Sequence, residues 1–156
     1  MSHVVSMRLR DDQMERLRRL ARRLGRTPSE TSALLLEESL REAEFASIEF
    51  RDSPAGRQAY VTGSGLAVWE VVMVARSYNG DVARTAAHLV WLPVKVRAAL
   101  NYAEAFPEEI EAALEDNNQG FEALKRMLPN AELFEVKDAD NDDANLTETA
   151  NREPAP

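Results

Sequence analysis

"SMRLRDDQMERLRRLARRLGRTPSE", residues 6–30, changes its periodicity once and punctuates itself twice. Up to Arg10 the chain alternates. Val5, Met7 and Leu9 fall on one side and Val4, Ser6, Arg8 and Arg10 on the other, the period of two that belongs to an extended strand. From Asp11 the apolar positions Met14, Leu17, Leu20, Ala21 and Leu24 recur at spacings of three and four, which predicts a helix over residues 11–24. Gly25 closes it, because a residue without Cβ takes the left-handed cap conformation without a clash. Thr27-Pro28-Ser29-Glu30 opens the next helix with a capping residue, a proline at the first helical position and a glutamate that can reach back to the cap. That second helix, predicted to about Phe45, carries Ala33, Leu36, Leu40 and Ala43 on one face, widened by Leu34 and Leu35.

A single strand with no neighbour nearby in sequence leaves its N–H and C=O groups unpaired, and such an edge is a template for another chain. A strand and two helices within about 45 residues are also close to the size below which a chain cannot bury enough apolar surface to fold alone. A second copy answers both problems. Two strands side by side form an antiparallel ribbon, Met7 and Leu9 cover a core built by four helices, and the opposite ribbon face projects outward. A two-stranded ribbon fits the DNA major groove, where arginine can hold guanine bidentately and serine can donate or accept. The free N–H groups of the second helix, beside Thr27 and Ser29, suit a backbone phosphate.

These residues resemble the ribbon-helix-helix family of DNA-binding proteins, the fold of Arc, MetJ and CopG- or ParD-type antitoxins, over about the first third of the chain. The resemblance implies base contacts from Val4, Ser6 and Arg8, with Arg10 beside them, and phosphate contacts from Thr27 and Ser29, with Arg26 alongside. Where that family commonly has two large apolar residues early in the second helix, this chain has Thr31 and Ser32, which predicts weaker packing there.

The bulk composition agrees with a small globular chain: 156 residues, 44% hydrophobic, with no cysteine and hence no disulfide, thiol nucleophile or cysteine-ligated zinc. No apolar run is long enough to span a membrane and no signal-peptide stretch opens the chain, so a soluble, cytoplasmic protein is expected. The formal charge of −8 is unevenly spread. Arg8, Arg10, Arg16, Arg18, Arg19, Arg22, Arg23 and Arg26 crowd the N-terminal region, whereas Glu132, Glu135, Asp138, Asp140, Asp142, Asp143, Glu148 and Glu153 face only Lys137 and Arg152 after Pro129. The arginines of the first helix are expected to form a solvated helix face.

From Ile48 to Thr62 the chain reads as two short extended stretches, "SIEF" and "QAYVT", joined by turn-forming residues at 52–56. Helices are predicted from about Leu66 to Ser77, Asp81 to Leu89 and Val94 to Phe106. An acidic helix follows from Glu108 to Leu128, with a break at Asn117-Asn118-Gln119-Gly120. "VTGSGLAVWEVV" with "LPVKVRAALNYAEAFPEEI" resembles a helix-turn-helix family found in VapB-type antitoxins and catalogued as a domain of unknown function. Leu92-Pro93 and Ala99-Leu100-Asn101-Tyr102-Ala103 keep that family's pattern, and Ser64-Gly65 replaces its Thr-Arg pair. On a recognition helix at this place Lys95, Arg97 and Asn101 are the polar candidates for a second DNA site.

The expected architecture is therefore mostly α: a ribbon-helix-helix domain at 1–45, a β-hairpin plus helix-turn-helix domain at 46–129, and an acidic, disordered tail at 130–156. The tail's apolar cluster Leu133, Phe134 and Val136, with Lys137 and Arg152 among its acids, is written like a segment that folds on a partner. The family resemblance makes that partner a cognate toxin, such as a PIN-type ribonuclease, and the chain a homodimeric, autorepressing antitoxin. The alternative is a transcriptional or partition regulator without a toxin. No catalytic residue, metal ligand or cofactor is expected: His3 lies at the terminus, His88 sits in the apolar context "AAHLVWL", and "GSG" at 63–65 lacks the lysine of a phosphate loop.

Overall fold

A computed structural model describes residues 4–128. Among these, six helices and one two-stranded antiparallel sheet follow in the order α1 (Asp11–Leu24), α2 (Pro28–Glu44), β1 (Ile48–Ser53), β2 (Gly56–Val61), α3 (Val68–Ser77), α4 (Val82–Leu89), α5 (Pro93–Ala105) and α6 (Pro107–Met127). The chain is mostly helical. One compact unit ends at Gln119 and another begins at Gly120.

The punctuation of the first helices is realised in detail. Gly25 takes the left-handed conformation (φ 64°) and its N–H closes on the last turn of α1. At the start of α2 the Glu30 N–H donates to Thr27 Oγ1 (3.2 Å), while the Thr27 N–H and hydroxyl both donate to Glu30 Oε2 (2.8 Å each). The Met14, Leu17, Leu20, Ala21, Leu24 stripe of α1 turns inward as a set, with Ala21 fully buried.

In the single chain α2 shows two different faces. Its intramolecular face is built by Thr31, Leu34, Leu35, Glu38 and Arg41, whereas Ala33, Leu36, Leu40 and Ala43 stay exposed. Thr31, expected to weaken packing, is completely buried, because its hydroxyl donates to the Thr27 carbonyl (2.9 Å) and leaves only its methyl and stem to pack.

The hairpin is tighter than its sequence suggested. β1 and β2 pair from Ile48↔Val61 to Ser53↔Gly56, so only Pro54 and Ala55 remain as the turn. Ile48, Ala59 and Val61 join Val68, Val71, Val72, Ala86, Val96, Ala99, Tyr102, Ile110 and Leu114 in one continuous core. Pro93 opens α5 at its first position and Asp81 caps α4 through the Ala83 and Arg84 N–H groups. The expected break at residues 117–120 does not occur: α6 runs through it, since Gly and Asn lower helix propensity by only about 1 kcal/mol or less each.

Two polar clusters tie α2 to the later elements. Arg57 on β2 holds the buried Glu38 carboxylate bidentately (2.6 and 2.7 Å) and also reaches Asp52 (3.0 Å) and the Phe50 carbonyl (3.2 Å). Arg41 donates to Glu37 (2.7 Å), Glu109 (2.6 Å) and the Tyr102 hydroxyl (2.9 Å) with its guanidinium over the Phe106 ring. Burial pushes the Tyr102 hydroxyl well above the ordinary tyrosine range, against the pull of Arg41.

Candidate nucleic-acid interface

Residues 4–10 enter no helix and no sheet of the single chain. Their side chains nevertheless sort as a strand would sort them. Val5, Met7 and Leu9 line one groove of about 390 Å³ together with Met14 and Leu17 of α1 and Pro28, Ser29, Ser32, Ala33 and Leu36 of α2. Val4, Ser6, Arg8 and Arg10 are exposed and line no part of it. The groove is open and apolar. Val5 is 81% exposed, Met7 65%, Leu36 51% and Leu40, one turn further along α2, 50%. Single exposed apolar residues are ordinary, but contiguous ones mark contact surfaces.

The expected contact residues differ in how free they are. Ser6 and Arg8 have no partner among the described residues. Arg10 is engaged: its Nε donates to Asp12 (3.1 Å), and Asp12 also takes Arg16 (2.9 Å), so the two guanidinium groups hold the Asp12 carboxyl below its ordinary range. At the helix N-terminus the Thr27 N–H and hydroxyl are spent on the Glu30 carboxylate. The Thr27 N–H and hydroxyl in turn keep Glu30 below the usual carboxylate range. Among the described residues the Ser29 N–H and hydroxyl take no hydrogen-bond partner outside the helix, which leaves Ser29 as the open donor of this turn. Arg26 is exposed beside it.

The second set, on α5, is separate. Lys95 folds back: its Nζ donates to the Thr62 carbonyl (3.4 Å) and lies over the Trp91 ring. Arg97 and Asn101, one turn apart, are exposed. His88 is also exposed, with Nδ1 hydrogen-bonded to the Tyr78 hydroxyl (2.8 Å). Leu133, Phe134, Val136, Lys137 and Arg152 lie outside the described residues.

Among the described residues no three His, Asp or Glu side chains gather into a metal-holding set, and no helix is long and apolar enough to cross a membrane. What these side chains offer is binding chemistry: an apolar groove, a row of outward polar groups and an arginine-rich helix. Sequence reasoning missed the Glu38–Arg57 and Arg41–Tyr102–Glu109 clusters, which join residues 19, 61 and 68 positions apart and carry no local pattern. Compared with protein-family models, curated proteins and solved structures, the chain matches none of them.

Proposed function

We propose that this chain is the antitoxin of a type II toxin–antitoxin system. It acts in the cytoplasm as a homodimer on operator DNA, repressing its own expression, and neutralises a cognate toxin through its C-terminal region. The observation that carries the DNA-binding half is the sorting of residues 4–10: Val5, Met7 and Leu9 line an open apolar groove that continues onto Leu36, while Val4, Ser6 and Arg8 face away from it. A second copy laid antiparallel along this segment would pair its backbone and cover the groove. It would also place two sets of Ser6 and Arg8 on one outward ribbon of major-groove width. The exposed apolar side chains Val5, Met7 and Leu36 are in each copy a standing cost that such pairing removes.

The toxin-neutralising half is supported by the two sequence resemblances and by the acidic C-terminal segment. The partner proposed is a ribonuclease, such as a PIN-type protein, encoded beside this chain. Co-expression of that neighbour with the full chain, and with a chain ending at Pro129, is the test. The full chain is expected to co-purify with it and the shortened one is not. Failure of both would leave a regulator without a toxin.

For the DNA-binding half, Arg8→Ala is expected to cost about 1–3 kcal/mol of discrimination between the DNA upstream of the coding sequence and random duplex, measured by competition binding. Unchanged discrimination would remove Arg8 from base reading.

A further inference from the structure

The arginines of the N-terminal region do not share one arrangement. Arg10 and Arg16 close onto Asp12, and Arg23 reaches Asp52 at 3.3 Å. Later in the chain Arg41, Arg51, Arg57 and Arg76 each hold a glutamate. Arg18, Arg19, Arg22 and Arg26 are exposed, and among the described residues none of them makes an ion pair at contact distance, although Glu15 stands one turn before Arg18 and Arg19 and Arg26 lies within the field of Glu30. Carboxylates are not scarce, since the chain carries 27 acidic residues against 19 basic ones.

Position reinforces the point. The inward stripe of α1 is Met14, Leu17, Leu20, Ala21 and Leu24, so at 100° per residue Arg19 and Arg22 fall on the opposite side with Glu15 between them, Arg18 flanks the stripe beside Met14, and Arg26 follows just past the cap. The residue type is also selective. No lysine occurs before Lys95, and arginine is the cation whose planar, weakly hydrated fork matches phosphate oxygens in pairs. Solubility alone is served as well by lysine or by mixed charge.

We propose that the outer face of α1 is a second nucleic-acid surface, which takes the phosphate oxygens of a duplex through Arg18, Arg19, Arg22 and Arg26 without reading its bases. It rests on the proposed function only in taking duplex DNA as the ligand. Arg19 and Arg22 lie on the side of α1 away from the groove that Met14 and Leu17 line, and the surface needs neither Ser6 nor Arg8. Arg26 stands beside the Thr27–Ser29 turn, so R18Q/R19Q, which leaves that turn intact, decides between the two sites.

Each phosphate neutralised on a duplex contributes about 0.9 to the slope of log affinity against log salt, so four arginines account for a slope of about 3 to 4. The test titrates salt against the full chain on a short random-sequence duplex, comparing wild type with R18Q/R19Q/R22Q/R26Q and with S6A/R8A. The quadruple variant is expected to flatten the slope by about 3 to 4, with far-ultraviolet circular dichroism and association state unchanged, and S6A/R8A by about 1 at most. Should the quadruple variant misfold, R18Q/R19Q and R22Q/R26Q separately are expected to remove about half each.

An unchanged slope in the folded arginine variants overturns the assignment, whatever S6A/R8A does. A flattened slope, with S6A/R8A still discriminating the upstream DNA as wild type does, leaves this surface standing and removes ribbon readout instead. A synthetic peptide of residues 130–156 that binds wild type but not the quadruple variant, with duplex binding equal in both, would reassign the face to an acidic protein segment.

Discussion

Residues 4–44 and residues 48–114 use the same alphabet of apolar periodicity and end differently. In the later region Ile48, Val61, Val68, Val71, Val96, Ala99, Tyr102 and Ile110 are buried within one chain. In the earlier one only Ala21, Thr31 and Glu38 are buried, and Val5, Met7, Leu36 and Leu40 stand in water. The difference lies in connectivity. A hairpin and four helices joined by turns of a few residues can close around a core, whereas two helices and an unpaired segment have no third layer to cover the groove. An amphipathic stripe therefore announces a partner without saying that the partner lies in the same chain.

The sharpest way to break this contrast is Leu36→Lys. If the groove is closed by a second copy, each dimer loses two buried leucines at about 2 kcal/mol apiece, a rise of roughly 1,000-fold in the dissociation constant. Sedimentation equilibrium reads that change. Near-ultraviolet circular dichroism from Trp69 and Trp91, both packed against the later core, is expected to stay as in wild type. A variant that remains as associated as wild type would show that the groove is not the contact. Loss of the tryptophan signal together with association would show that the two regions do not fold separately.

Arg57→Ala tests the seam between them. It strips a nearly buried carboxylate, Glu38, of its bidentate partner, and breaking such a pair leaves an uncompensated charge. We expect a loss of about 3 kcal/mol in urea unfolding followed by far-ultraviolet circular dichroism. Glu38→Gln with Arg57→Ala is expected to recover part of it, because the buried charge is then gone. No recovery would mean that Arg57 matters chiefly through Asp52 and the Phe50 carbonyl.

How far the sequence could be read follows the same division between local and distant. Helix starts and stops were legible where one residue carries the instruction: Gly25 for a left-handed cap, Thr27-Pro28-Ser29-Glu30 for a capping box, Pro93 and Pro107 for first turns. The alternation of Val5, Met7 and Leu9 against Ser6 and Arg8 was equally local and survives as the two sides of the groove segment. Facing was not local. Which side of α2 meets its own chain depends on Arg57 and Tyr102, 19 and 61 residues away from the side chains they bind, so the intramolecular face of Thr31, Leu34, Leu35, Glu38 and Arg41 carried no local signal. Val90, a β-branched residue at φ 55° that ends α4, likewise reflects the turn into α5 rather than its own preference. Glu30 shows a third limit. The same capping box that made α2 legible also engages the Thr27 N–H and hydroxyl, which no reading of Thr27 as a separate group could show.

The smallest expected effect lies at that cap and separates its two hydrogen bonds. Thr27→Ala removes the hydroxyl that accepts from the Glu30 N–H and also donates to the Glu30 carboxylate, a loss of about 1 kcal/mol at neutral pH. The first bond is indifferent to pH and the second is not. Because Thr27 holds the folded-state pKa of Glu30 below its unfolded value, the stabilisation is complete above the ordinary carboxylate pKa of about 4.3. It disappears as pH falls through the lowered value. The gap between wild type and Thr27→Ala should therefore narrow between neutral pH and pH about 3 without closing. Asp12 and Glu111, also held low by arginines, add acid sensitivity to both proteins and cancel in that difference. A gap that stays constant would mean the hydroxyl serves only the Glu30 N–H, leaving the Thr27 N–H alone to hold the carboxylate. A narrowing gap would mean that at neutral pH the hydroxyl, with the Thr27 N–H beside it, holds the Glu30 carboxylate.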